Sequence, residues 1–311
     1  MKRSKRSEKS NIALSVIAVF LVLLLAALIL LPRLAPASSS VAEGSAPAEE
    51  SGEEPEEVSF VVEEADSFGW YTANGKRYYL DENGFALTGL HLIGGKYFYF
   101  DAAGVMADAV GVDVSVYNEA IDWKAVRSQG ISFAIIRVGG RGWTSGSIYG
   151  DLRAREYLRG AREAGLQIGV YFFSTAVNAE EAVREADDVL HTLEGHTLAL
   201  PIFIDVEYSG EYPEGRADKL SAPERAAVVS AFCKRVESAG YRAGVYSGQY
   251  FYRHSIDFAP LTHYTVWLAS YTADRLPPAF EWPYDILQFT DRGNVKGILC
   301  GVDMDVLFQR R

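Results

Sequence analysis

The 311-residue chain is poor in the residues that build metal, disulfide and nucleic-acid chemistry. It holds two cysteines, five histidines and three methionines, and its 30 Lys and Arg are outnumbered by 41 Asp and Glu, for a formal net charge of −11. Two cysteines allow one disulfide at most. Cys233 falls in an expected helix and Cys300 near an expected strand start, so two ordinary thiols is the simpler expectation. His191, His196, His254 and His263 are scattered without ligand spacing, so no metal and no cofactor is expected. No clustered basic footprint suggests a nucleic-acid partner. Long hydrophobic runs are equally scarce: there is one, Ile12–Leu31, in which only Ser15 is polar.

That run divides the chain. Twenty apolar residues are long enough to span a hydrocarbon core of about 30 Å. The basic tail before it, residues 1–11, predicts a cytoplasmic N-terminus and a single-pass membrane helix over 12–31, with everything that follows outside the cell. Cleavage as a signal peptide near Ala35-Pro36-Ala37, giving a secreted protein, is the alternative. Residues 34–66 carry ten acidic residues and no basic one. Such a Ser-, Pro- and Glu-rich stretch cannot bury a core, and 32–66 reads as a disordered stalk.

Residues 67–109 contain a repeat of period 20. Gly75-Lys76 recurs as Gly95-Lys96, Tyr78-Tyr79-Leu80-Asp81 as Phe98-Tyr99-Phe100-Asp101, and Gly84 as Gly104. Each unit reads as a β-hairpin with aromatic strands and glycine-bearing turns. The units resemble the cell-wall-binding repeats of choline-binding and glucan-binding proteins. That resemblance implies aromatic cages for a quaternary ammonium. Here, however, Arg77 and Tyr97 stand where a tryptophan follows Gly-Lys, and Leu90 replaces Trp70 in the second unit. A contact with a wall polymer and a spacer packed on the main domain both remain open.

Residues 110–311 alternate apolar runs with helical segments. Eight strands are expected, at Val110–Ser115, Ile131–Val138, Gln167–Ser174, Leu200–Glu207, Tyr241–Ser247, Tyr264–Tyr271, Asp285–Thr290 and Val302–Phe308. Helices are expected at Asp122–Gln129, Asp151–Ala164 and Asn178–Leu193, each with an Asp or Asn cap. Ser221-Ala-Pro-Glu224 reads as a capping box opening a helix to about Ala239, and a shorter helix is expected near Phe251–Phe258. Strands alternating with helices predict an α/β fold with a mostly parallel sheet, and eight of them predict a barrel with an incomplete helical ring.

The fourth strand ends in Asp205-Val206-Glu207. Side chains at i and i+2 share a face of a strand, so the two carboxyls point the same way, with Cα atoms roughly 6–7 Å apart. A strand reaching solvent would read the same way, but other acids follow the pattern. With Ile202, Ile204 and Val206 facing the helices, the same alternation turns Asp113, Arg137, Asp303 and Asp305 inward on the first, second and last strands. Acids from several strands converging on one barrel end point to an active site there. Paired carboxyls of this kind serve glycosidic bond cleavage.

The segments Gly111-Val-Asp113-Val-Ser115, Phe133-Ala-Ile-Ile-Arg137, Gly169-Val-Tyr171-Phe-Phe173, Asp205-Val-Glu207, Gly244-Val-Tyr246-Ser, Trp267-Leu-Ala-Ser-Tyr271 and Leu287-Gln288-Phe-Thr290 together resemble glycoside hydrolase family 25, the Chalaropsis-type lysozymes. Val302-Asp303-Met-Asp305 departs from that family's usual Asp-x-Asn. The resemblance implies an irregular barrel of five βα units and three further strands. It also implies cleavage of the β-1,4 bond between N-acetylmuramic acid and N-acetylglucosamine in peptidoglycan. By position it makes Glu207 the proton donor and Asp205, Asp113 and Asp303 the rest of the acidic set. Tyr171, Tyr246, Trp267, Gln288 and Arg137 would meet the sugar, with Arg137 alternatively a structural partner of Asp113 or Asp205. Burial should raise the pKa of Glu207, while Asp205 is expected to stay ionised. A non-catalytic wall-glycan binder and a chitinase-like glycosidase are the rival readings. Remodelling of the cell's own wall, assembly of a secretion machine and attack on competitors are all compatible with the pattern.

Overall fold

The computed structural model describes residues 68–209, 215–271 and 280–308. The basic tail, the expected membrane helix 12–31 and the stalk 32–66 lie outside the described residues. Among those described, no helix is long and apolar enough to cross a membrane.

The repeat is visible in the backbone. Strands β1 (Gly69–Ala73) and β2 (Lys76–Leu80) form one antiparallel hairpin, and β3 (Gly89–Ile93) and β4 (Lys96–Phe100) the other. Both hairpins turn through two residues of positive φ, Asn74-Gly75 at 49° and 73° and Gly94-Gly95 at 57° and 77°. This geometry matches the right-handed twist of the flanking strands and demands Gly or Asn. Behind each hairpin an aspartate organises the next turn. Asp81 Oδ1 accepts from the amides of Asn83 and Phe85, and Asp101 Oδ1 from those of Ala103 and Val105.

The second unit is bolted to the main domain. Tyr99, 1% exposed, packs against Phe289 with ring centres 5.2 Å apart, and the Tyr97 amide donates to Gln129 O at 2.7 Å. The first unit leans on the second through the Met106 amide, which donates to Arg77 O. Arg77 also places its guanidinium 4.4 Å from the centre of the Trp70 ring.

The barrel strands are β5 (Ala109–Val114), β6 (Ile131–Arg141), β8 (Gln167–Phe173), β9 (Ile202–Asp205), β10 (Ala243–Gly248), β11 (Thr265–Ala269), β12 (Ile286–Gly293) and β13 (Val302–Leu307). They pair in that order, parallel from β5 to β12. Antiparallel pairings of β13 with β12 and with β5 close the ring. Five helices follow the first five of these strands: α1 (Trp123–Ser128), α2 (Ala154–Glu163), α3 (Ala179–Leu193), α4 (Ala222–Ser238) and α5 (Gln249–His254). The expected five βα units and three further strands are thus found, along with the Asp122 and Asn178 caps and the Ser221–Glu224 capping box.

Three local expectations are corrected. Asp151 does not cap a helix; α2 begins three residues later, and the Asp151 carboxylate instead accepts from the amides of Val116 and Arg153 and from Arg137. Helix α5 opens at Gln249 rather than near Phe251. β6 runs on to Arg141 and pairs with an unexpected short antiparallel strand, β7 (Ile148–Gly150).

The barrel wall separates two apolar clusters. Val112, Val114, Ala134, Ile136, Ile202, Ile204, Val206, Met304 and Val306 pack outward under the helices. Phe133, Ile135, Phe203, Tyr246, Trp267 and Ile286 fill the interior. Glycine makes room for the interior rings: a Cβ on Gly111 would lie 2.3 Å from the Phe133 ring, and one on Gly244 2.3 Å from that of Phe203. The layers of rings plug the barrel, so its interior holds no channel and the strand C-terminal ends sit above a closed floor, where parallel barrels carry their sites.

Candidate active site

β9 carries the acidic pair to that end. The strand itself stops at Asp205, which is 4% exposed, and Glu207 stands just beyond it, accessible to solvent. Backbone bonds hold the approach in register: the Ser174 amide donates to Asp205 O at 2.9 Å and the Val206 amide to Tyr246 O at 3.1 Å. The two carboxyls lie close enough for each to act on the other's protonation. Desolvation pushes Asp205 well above the usual carboxylate range. The Glu207 charge adds to that rise, and the Arg137 guanidinium opposes it. Glu207 is raised as well, because the groove walls crowd its carboxyl although the side chain meets solvent. Both carboxyls are thus shifted in the same direction, and two acids this close titrate as a unit. Glu207 is the member exposed to the groove.

The second acidic group comes from the strands that close the barrel. Asp113 on β5 faces Asp303 on β13 across an antiparallel pairing, and Asp305 lies two residues further on, fully buried. Gln288 joins this group to the tyrosines. Its Oε1 accepts from the Tyr246 and Tyr271 hydroxyls at 2.8 and 2.6 Å, and its Nε2 donates to Asp113 Oδ2 at 2.7 Å. The Trp267 indole donates to Asp305 Oδ1 at 2.8 Å. Burial, with the nearby charge of Asp291, lifts Asp303 to about 6.

A groove of about 480 Å³ opens over Asp205 and Glu207, walled by Tyr117, Arg137, Trp143, Tyr149 and Tyr171. Tyr171 meets it as expected. Trp267 and Gln288, 1% and 3% exposed, form the layer beneath rather than the face a sugar would touch. Trp267 packs against Tyr246 and Phe203, with ring centres 4.4 and 5.2 Å away. Arg137 pairs with Asp151 at 2.9 Å, not with Asp113 or Asp205, and stacks 5.0 Å from the Tyr117 ring centre. Tyr117, Trp143, Tyr149 and Tyr271 escaped the sequence reading. Tyr149 sits on β7, whose three residues carry no usable periodicity, and Tyr117 on the 3₁₀ turn Val116–Asn118. Cys233 is buried and Cys300 exposed, and both are free. Among the described residues, no group of three His, Cys, Asp or Glu is arranged to hold a metal ion.

Comparison with known proteins agrees with this geometry. Residues 112–298 match the model for glycosyl hydrolases family 25, and residues 69–84 and 88–106 match the model for a cell wall binding repeat. An autolytic lysozyme of Clostridium acetobutylicum is 26% identical over 196 residues, 63% of this chain and 54% of the relative. The YegX protein of Escherichia coli K12 is 34% identical over 203 residues, 63% of this chain and 68% of the relative. The chain thus spans about half the length of the first of these. Among solved structures, the modular autolysin LytC of Streptococcus pneumoniae, in complex with a synthetic peptidoglycan ligand, superimposes with a TM-score of 0.60 at 22% identity, covering 77% of this chain and 58% of its own. A family 25 glycosyl hydrolase from Bacillus anthracis gives 0.55 at 22% identity, covering 66% of this chain and 91% of its own. At these identities the superpositions speak for the fold.

Proposed function

The chain belongs to glycosyl hydrolase family 25, and on that premise we propose that it is a peptidoglycan muramidase, cleaving the β-1,4 bond between N-acetylmuramic acid and N-acetylglucosamine. The observation that carries this reading is the Asp205–Glu207 carboxyl pair, held at the C-terminal end of β9 under an aromatic-walled groove. Glu207, protonated, gives its proton to the glycosidic oxygen as the C–O bond breaks. Positive charge then develops at the anomeric carbon while both carboxylates of the pair are ionised beneath it, which favours an oxocarbenium-like transition state. Asp205 Oδ1 has no protein donor. Buried beneath the groove, it acts on that charge through space. When water adds to the anomeric carbon, its proton returns to Glu207.

Glu207→Gln should cut release of reducing ends from purified peptidoglycan by orders of magnitude while the fold is kept; full activity in that variant would refute the assignment. Mass analysis of the products should find reducible muramic acid ends. Preference for chitin oligomers over muramyl glycan would move the enzyme to another glycosidase class. The apolar segment 12–31 is proposed as a membrane anchor that places the barrel outside the cell, within reach of the cell's own wall. Fractionation of cells should then find the full-length chain with the membrane, whereas a shortened chain in the medium would show signal cleavage.

A further inference from the structure

Asp305 is the most enclosed carboxyl of the acidic set at this end of the barrel. Its Oδ1 accepts the Trp267 indole N–H, but no protein N–H or O–H reaches its Oδ2. An unsatisfied buried acceptor destabilises the fold, and more so when charged. Its neighbour is a second carboxyl, Asp113, on the paired strand β5: the register sets Asp303 opposite Asp113 and Asp305 opposite Gly111, so Asp113 and Asp305 are diagonal neighbours on the inward face, close enough for each to act on the other's protonation. The other side of Asp113 is already committed, since its Oδ2 accepts from Gln288 Nε2. Two carboxylates can bond to one another only through a proton.

We propose that Asp113 and Asp305 share a single proton, and that Asp305 is thereby a positioning residue that fixes Trp267 and Asp113 at the floor of the groove. One shared proton satisfies the orphaned oxygen and leaves the pair with one negative charge instead of two. The surroundings oppose a second charge. Asp303 on β13 faces the pair, the hydroxyls of Tyr171 on β8, Tyr246 on β10 and Tyr271 after β11 sense Asp113, and Asp205 and Glu207 share the groove. The guanidinium nearest the acids, Arg137, is engaged by Asp151. Burial raises both members of the pair, in the same direction as this argument. The line Tyr246–Gln288–Asp113–Asp305–Trp267 crosses β10, β12, β5, β13 and β11, so losing the proton strains a contact that reaches around much of the barrel.

The consequence for catalysis rests on the glycosidase reading; the shared proton does not. Asp305→Asn tests it. A carboxamide of the same shape keeps an acceptor for Trp267 and gives Asp113 an N–H donor, with nothing left to titrate at 305. A carboxyl raised on folding contributes stability that is full below its unfolded pKa and is lost as pH rises through its folded value. The wild type should therefore lose stability with rising pH relative to the variant. In urea unfolding the gap should widen in favour of D305N from acid to alkaline pH, and a gap independent of pH overturns the proposal. Should D305N not fold, infrared spectra of an Asp205→Asn, Glu207→Gln double variant, which removes the other raised carboxyl pair, should keep a protonated carboxyl band at neutral pH; its absence overturns the proposal equally. On peptidoglycan, D305N should hold its kcat/KM to higher pH than the wild type. Absence of cleavage by both proteins would count against the muramidase reading and leave the titration result standing.

Discussion

The two faces of β9 are made by adjacent residues and do opposite things. Ile202, Ile204 and Val206 bury apolar surface under the helices, where only volume and shape matter. Phe203, Asp205 and Glu207 alternate with them, and on that side a ring plug gives way within one residue step to a pair of acids whose protonation burial has shifted. A single strand thus separates stability from chemistry by its period of two. The acids are held by the same ladder that the aliphatic residues stabilise, and they cost folding energy in return.

The largest effect should come from the inner face. Glu207→Gln is expected to lower turnover of peptidoglycan roughly 10²–10⁴-fold, the usual contribution of a general acid. Thermal melting should show equal or greater stability, since a crowded carboxyl is removed. A matching loss of stability would mean that the two faces are not separable. Ile204→Ala on the outer face should do the reverse. Denaturant unfolding should read a loss of about 2–5 kcal/mol, with little change in kcat for the fraction that remains folded.

The third prediction sets the groove acids against an ion pair at the rim. Glu181 receives Arg216 in two bonds of 2.6 and 2.9 Å, and that contact lowers it to about 2. A lowered carboxyl contributes stability above its unfolded pKa that is lost as pH falls through its folded value. Glu181→Gln should therefore remove part of the acid-side loss of stability, about 1–2 kcal/mol once solvent screening is allowed for. The raised pair Asp205–Glu207 works in the other direction. Activity should decline as pH rises and the proton is lost, and the pH profile of kcat/KM checks this. The smallest effect belongs to the first repeat. Arg77→Ala removes the guanidinium over Trp70, worth about 0.5–1 kcal/mol, and should loosen that hairpin without moving the barrel's melting transition. Because Arg77 covers this face of Trp70, choline should bind the wild-type repeat there no better than it binds a Trp70→Ala variant.

Much of this was open to reading before any coordinates. The eight barrel strands carry apolar residues at period two or in runs, so their existence and inward faces were plain. Caps such as Asp122 and Asn178 announced their helices through local hydrogen bonding alone. What failed to show was held by contacts distant in sequence. Asp151 looks like a helix cap because its neighbours favour one, yet Arg137, fourteen residues earlier, claims its carboxylate. β7 exists because Gly139 to Arg141 offers it an edge, not because Ile148–Gly150 has strand character. Trp267 carries no sign that it lies one layer too deep to face a sugar.

The sequence by itself determined the barrel, the twenty-residue repeat and the placement of Asp113, Asp205, Glu207 and Asp303 at one end. Strand alternation and strand order suffice for that. Only the tertiary structure decided which acids touch. Asp205 and Glu207 share a face by strand alternation, but Asp113 and Asp305 become neighbours only because the barrel closes β13 against β5, and burial in the folded barrel is what shifts both pairs. That burial depends on the assembled barrel, and no local pattern of residues encodes it.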